Sequence, residues 1–390
     1  MIKVLFVVDY LSMNIGGPRF LTNVFRRLPK DNYEIHIITG AVSYGALDVL
    51  QGHNNIDVIN LSVFDAKALP SEQSTNVIKF LYKALNTVNR TTRRSRIDII
   101  HLNTHFPNLL SYAIKLNLNL PIICSIHHLE ETTQFYSIPS KIAKLVIQDL
   151  LEINSPCNVV HVPSRYTKQR IKDLTIINKN NIIVIPPGIE IEKYLSIPRR
   201  AEENLFVMIV RLERRKHCDH AIAALKIVTR HNPDVKLFII GDGPMKPYLM
   251  QLVKRLSLEK NVSLLGVVDE KTKLDFLSRA QALIHLGYPE GFGIAILEAL
   301  ASGTPVIAYD VPPINEIIRN SITGVLVEKD NLVKLAEAII NINQFDFNSE
   351  ILKNVAKKYD ISIITRQFDT LYKYLVYQKR PNIKNKIIMT

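Results

Sequence analysis

Glu290 and Glu298 stand eight positions apart in the run GYPEGFGIAILEALASGTPVIA, residues 287–308. From about 293 to 302 the pattern reads as a helix that is apolar on every face, and therefore a buried one. A carboxylate inside it, Glu298, is costly unless something pairs with it. Neighbouring backbone amides could do so, or a ligand with hydroxyl groups. Eight helical positions rise about 12 Å, although the first of them here are loop. That is too far for the acid–base pair of a glycosidase, whose carboxyls lie about 5–10 Å apart. It suits the two ends of one extended ligand. Gly291 and Gly293, running into the helix, let backbone amides approach a phosphate lying between those ends. Arg211 and Lys216, in the run VRLERRKHC, add a planar fork and a mobile point charge suited to a diphosphate. Sugar, diphosphate and ribose in line have the shape of a nucleotide sugar, with Glu298 on the ribose diol and Glu290 on the sugar.

Such residues need strands to carry them. Short β-branched runs alternate with helical periods along the whole chain. Strands are predicted over 2–8, 34–39, 97–102, 121–126, 158–162 and 182–185, and again over 205–210, 235–240, 262–265, 282–286, 305–309 and 324–327. Two sets of about six predict an α/β protein of two doubly wound domains with parallel sheets. The seam falls in residues 190–204, which are polar and contain Pro198. Domains are thus expected at 1–195 and 196–361. A last helix over about 362–378 is expected to cross back to the first domain, before a basic tail, 379–390. Ligands in such sheets sit beyond the carboxyl ends of the strands, where Arg211 and Glu290 would lie.

The 390 residues are 47% hydrophobic and 22% charged, an ordinary globular composition with mass for two cores. No apolar run is long enough to span a bilayer. The opening MIKVLFVVDY is closed by Asp9 and reads as a buried strand rather than a leader. Cys124, Cys157 and Cys218 are too few and scattered for a disulfide framework, so a reducing, cytoplasmic setting is expected. The net charge of +13 divides almost evenly: 21 basic against 15 acidic residues in 1–195, and 28 against 21 in 196–390. Basic clusters at 90–96, 211–216 and in the tail leave solubility, an anionic membrane surface or nucleic acid as readings. With aromatics at 7%, no Trp and no interleaving of basic and aromatic residues, no nucleic-acid partner is expected.

EGFGIAILEALASGTPVIA resembles the signature of the retaining glycosyltransferases of family 4, also called group 1. The resemblance covers most of the chain. It takes in the Gly16-Gly17 pair after the first strand, His127 after PIICSI, and VPSRYTKQRI followed by NIIVIPPGIE. It continues through VRLERRK, IIGDGP, LLGVVD with Gly266, and NEIIRNSITGVLV. It implies the GT-B fold, two Rossmann-like domains whose parallel sheets face an interdomain cleft. It implies an acceptor-binding first domain and a donor-binding second one. Position by position, Glu298 should bind the donor ribose, and Glu290 the transferred sugar, near Gly291 and the amides of Phe292 and Gly293. Arg211 and Lys216 should hold the diphosphate. Gly16 and Gly17 should let their loop close over phosphates and acceptor. His127 should sit beside the reacting carbon, with His128 an equal candidate. The family transfers with retention and needs neither metal nor cofactor.

The absence of any Asp-x-Asp agrees with metal independence, and His101 and His105 straddle a strand end rather than forming a helical metal pair. His101 reads as a cleft or satisfied core histidine. The chain departs from the family pattern at Leu286-Gly287, where Pro-Ser often stands, at Pro187, and at Val311-Pro312-Pro313. The expected activity is metal-independent hexosyl transfer from a UDP-sugar, or from GDP-mannose, to a glycan or lipid-linked acceptor. The competing readings are a nucleotide-sugar epimerase or phosphorylase of similar architecture, and a non-catalytic nucleotide-sugar or anionic-surface binder.

Overall fold

The computed structural model describes residues 1–12, 16–43, 45–50, 52–65, 73–127, 129, 151–175 and 181–378. It divides into two compact units, one of Met1–Pro187 with the chain from Ile361 onward, the other of Gly188–Asp360.

The first unit holds a seven-stranded sheet of β1 (Ile2–Leu11), β2 (Tyr33–Val42), β3 (Ile56–Asn60), β4 (Ile99–Asn103), β5 (Ile122–Ser125), β6 (Val159–Val162) and β7 (Ile182–Val184). The order is β3-β2-β1-β4-β5-β6-β7, with every pair parallel. Strand alternation sends the side chains of β1 to two cores. Val4, Phe6 and Val8 pack with Phe20, Phe25, Phe368 and Tyr372 on one face, while Leu5 and Val7 pack with Phe80, Ala84 and Val88 on the other. The C-terminal helix Ile361–Gln378 therefore completes the core of this unit. β3 is the strand that the sequence reading omits. It is an edge strand whose IDVIN has no fully buried position, with Asp57 and Asn60 exposed, so it lacks the unbroken apolar run that marks the central strands.

The second unit holds β8 (Leu205–Ile209), β9 (Lys236–Ile240), β10 (Val262–Gly266), β11 (Ala282–His285), β12 (Val306–Tyr309) and β13 (Gly324–Val327), in the order β10-β9-β8-β11-β12-β13 and again parallel. Its boundary lies at Pro187/Gly188, eight residues before the expected one at 195. The physical reason is local. Ile189 pairs with Asp360 in an isolated parallel bridge, and Tyr194 is buried with its hydroxyl on Glu298. The polar run that suggested a seam, 190–204, thus contains residues of the second core, Ile191 and Tyr194.

The structure joins Cys124 and Cys157 as a disulfide, with Cα atoms 6.0 Å apart, a single bridge that the reducing setting expected from three scattered cysteines did not foresee. Cys124 lies on β5, and Cys157 precedes the neighbouring β6, so sheet pairing brings together residues 33 apart in sequence. Among the described residues, no helix is long and apolar enough to cross a membrane.

Candidate functional site

In the second sheet the strand order reverses between β8 and β11, the switch point at which a doubly wound sheet opens a crevice for ligands. The loops leaving these two strands carry the chemistry. After β8, a short 3-10 turn, Arg214–Lys216, leads into the helix Cys218–Val228. After β11 comes the run 286–293. Two contacts tie the loops together: Tyr288 N–H donates to the Arg215 carbonyl at 2.8 Å, and Arg215 Nη1 donates to the Pro289 carbonyl at 3.2 Å. The Lys216 ammonium is ion-paired with the Glu290 carboxylate, their side chains 11% and 13% exposed. Glu213 holds two further cations of this loop, Arg211 Nε at 2.7 Å and Arg215 Nε at 2.9 Å.

Burial opposes a charge on Glu290, but Lys216, the neighbouring His285 and Arg215 together outweigh it and hold the carboxyl well below its ordinary value. Burial draws the Lys216 ammonium down, partly offset by Glu290. The pair is thus a charged one in a confined space. Gly287 shows how confined: a Cβ there would lie 2.8 Å from Glu290 Oε2 and 3.3 Å from both His285 Nε2 and Lys216 Cδ. Gly293, at φ 106°, holds a left-handed turn that other residues resist and caps the helix Ile294–Ala301. Gly291 N–H donates to Glu290 Oε1 at 3.2 Å, and Phe292 is buried edge-on against Tyr359.

Glu298 lies in the middle of that apolar helix, 3% exposed. Two side chains partner its carboxylate. Lys273 Nζ lies 2.9 Å from Oε1, and the Tyr194 hydroxyl donates to the same oxygen at 2.8 Å. Glu270 extends the network, 3.0 Å from Lys273 Nζ. Gly266 ends β10, two strands from β8, roughly 10 Å away at the usual strand spacing. A Cβ on it would meet only Lys246 Nζ, at 3.7 Å, so no contact joins it to the Lys216–Glu290 pair.

In the first sheet the order reverses between β1 and β4. Gly16 and Gly17 open the helix Gly16–Phe25 that follows β1. His127, just past β5, bonds Asn103 at the end of β4, with Nε2 2.5 Å from Oδ1. Burial, with the nearby His161 and His105, lowers its pKa to about 3, so the ring is neutral near pH 7. His128 lies outside the described residues. His101 is a satisfied core histidine: it is fully buried, with the Tyr372 hydroxyl 2.8 Å from Nδ1 and the Ser125 hydroxyl 2.7 Å from Nε2. Just past β4, Thr104 holds φ 77°, a strained value for a β-branched residue and of a kind that gathers at functional sites.

The sequence reading misses Arg215, His285, Lys273 and Tyr194. His285 is the most informative. It ends β11, is 2% exposed, and neither ring nitrogen has a hydrogen-bond partner among the described residues. Its Nε2 lies 3.6 Å from Glu290 Oε2, beyond hydrogen-bonding distance. Its position at a strand end was the available signal. Lys273 sits in an ordinary amphipathic helix, EKTKLDFLSR, where nothing local marks one lysine for burial.

The family described as "Glycosyl transferases group 1" matches residues 191–358, and "Glycosyltransferase Family 4" matches residues 16–193. An uncharacterized glycosyltransferase of Methanocaldococcus jannaschii is 26% identical over 89% of this chain and 91% of its own length. The alpha-monoglucosyldiacylglycerol synthase of Streptococcus pneumoniae is 28% identical over 73% of this chain and 67% of its own. Among solved structures, Anabaena HepE in complex with UDP and glucose superimposes with a TM-score of 0.74 at 19% identity, covering 96% of this chain and 100% of that one.

Proposed function

From the premise that this chain belongs to the group 1 glycosyltransferases and has the GT-B fold, we propose that it transfers a hexose from a UDP-sugar to a glycan or lipid-linked acceptor, with retention and without a metal. One observation carries the reading. At the switch point of the second sheet, a buried carboxylate, Glu290, and two cations, Lys216 and Arg215, converge from adjoining loops. Arg211 stands beside them through the shared Glu213.

In this reading the donor lies across those loops. Glu290 takes hydroxyls of the sugar. Lys216 and Arg211 take the diphosphate, and Glu298 takes the ribose diol. The bond from the anomeric carbon to the diphosphate oxygen breaks as the acceptor oxygen bonds to that carbon. The acceptor's proton passes to the released nucleoside diphosphate. Negative charge therefore grows on the leaving oxygen, where Lys216, Arg211 and the amides before the helix Ile294–Ala301 would stabilise it. A preorganised donor of this kind is worth about 10²–10³ in kcat. His127, neutral and fixed by Asn103, is suited to accept or donate a hydrogen bond rather than to supply charge.

UDP as the carrier is supported by the HepE complex, and a lipid acceptor by the streptococcal relative, named as a diacylglycerol glycolipid synthase. The helix Val77–Ser95 supports a place on the cytoplasmic face of an anionic membrane. It carries Lys79, Lys83, Arg90, Arg93 and Arg94 without one acidic residue, and it exposes Ile78 and Tyr82.

Thermal denaturation with UDP, GDP and their glucose and mannose conjugates, in EDTA, tests the donor site. UDP and UDP-glucose should raise the Tm of the wild type and not of Lys216→Ala. UDP-glucose turnover in EDTA, with the product anomer read by proton NMR, tests retention and metal independence. No shift by either diphosphate, or an inverted product, would overturn the corresponding part of the reading.

A further inference from the structure

We propose that His217, Asp219 and His220 form a binding site for a divalent cation of the zinc class, apart from the residues assigned to the donor. The site goes beyond the transfer reaction, which the preceding reading runs without a metal. Candidate ligand atoms of the three side chains all lie within 4.8 Å of one another. They cluster where the turn carrying Lys216 enters the helix Cys218–Val228. His217 holds φ 49° and ψ 40°, a left-handed conformation uncommon outside glycine. This turn lays its ring beside that of His220, with centroids 4.6 Å apart and planes at 36°.

A second feature fits the use of His220 as a ligand. Its Nδ1 bonds the hydroxyl of Tyr309 at 2.7 Å, and Tyr309 is fully buried at the end of β12. When Nδ1–H donates there, Nε2 presents its lone pair outward. Metal-binding histidines are commonly oriented by such an outer hydrogen bond. Asp330 Oδ1 lies 3.7 Å from the same nitrogen and adds negative charge, although its other oxygen is engaged by Lys329 at 2.6 Å.

Two imidazoles and one carboxylate with an open fourth position select zinc, cobalt or nickel over magnesium or calcium. Tetrahedral coordination at about 2.0–2.1 Å places donors about 3.3 Å apart, so the three half-exposed side chains must rotate inward to close on an ion. Because His217 directly follows Lys216, a bound ion would pin the turn that presents Arg215 and Lys216.

The test is calorimetric titration of zinc chloride alone into the metal-free full chain at pH 7, with the visible absorption of added cobalt reporting geometry. One ion should bind per chain, with affinity lowered at least tenfold by His220→Ala, and by His217→Asn, which tolerates the left-handed turn. Cys218→Ser should leave the affinity unchanged. Binding weaker than ~1 mM, or binding indifferent to both histidine substitutions in variants whose Tm shows that they fold, would overturn the site. Thermal shifts by UDP on the same metal-free preparations keep the two ideas separate. A missing UDP shift counts against the donor reading and leaves the zinc result to stand alone.

Discussion

At the residue scale, the side chains proposed for the donor are held by partners within the second unit. Lys216 pairs with Glu290, and Lys273 and Tyr194 occupy an oxygen of Glu298. Lys216→Ala should lower kcat/KM for UDP-glucose by about 10²–10³, with KM raised in step with the lost Tm shift. It also changes acid stability. The depressed carboxyl of Glu290 contributes stability that is present above its unfolded pKa, about 4.3, and lost as the pH falls through the lower folded value. Removing Lys216 leaves burial to dominate, so the acid limb in urea unfolding should flatten below about pH 4. Asp9 has the opposite sign. Burial pushes it up to about 6, so the folded state holds its proton more tightly and stability declines between about pH 4 and pH 6. Asp9→Asn should abolish that decline, a difference of up to about 3 kcal/mol, read from denaturation at pH 4 and pH 7. Glu298→Ala should cost about 1–3 kcal/mol in urea unfolding, since Lys273 and Tyr194 lose their shared acceptor while Glu270 still faces the ammonium at 3.0 Å. Glu290 and Glu298 were legible in the sequence because carboxylates are rare in apolar runs. Lys273 and His285 were not, since their burial depends on a tertiary neighbourhood that no local pattern records.

At the scale of elements, every strand read from the β-branched runs appears in the two sheets, with ends shifted by a few residues. β3 does not announce itself, because an edge strand needs only half its side chains buried. The helix Ile294–Ala301 is the clearest success: its uniform apolarity marked it as interior, and Ile296 to Ala301 are buried in sequence. Leu297, fully buried there, should cost about 2–5 kcal/mol on replacement by Ala, measured by urea unfolding. Gly287→Ala should be felt at once, since its Cβ enters the space between Glu290, His285 and Lys216. Overpacking of this kind costs about 1–3 kcal/mol, and a fall in both Tm and UDP binding would register it. The placement of the seam failed for an element-level reason. Polarity marks exposure, whereas a boundary depends on which core a segment packs into, and Tyr194 is buried with its hydroxyl on Glu298 in the second core.

At the scale of the whole molecule, the two compact units were readable from the doubled alternation of strands and helices. The disulfide between Cys124 and Cys157 was not, because it joins residues that only the pairing of β5 with β6 brings together. The C-terminal helix Ile361–Gln378 has a consequence for synthesis on the ribosome. The second unit is continuous in sequence, from Gly188 to Asp360, whereas the first needs Ile361, Ile364, Phe368 and Tyr372 to close its core. The half of the chain made first must therefore wait for the last segment to emerge, and the middle of the chain can fold ahead of its beginning. Nascent chains ending at residue 360 and extended by an unstructured linker that fills the exit tunnel should yield a protease-resistant core from the second unit and a digestible first one. Release of the final helix from the exit tunnel should then protect both.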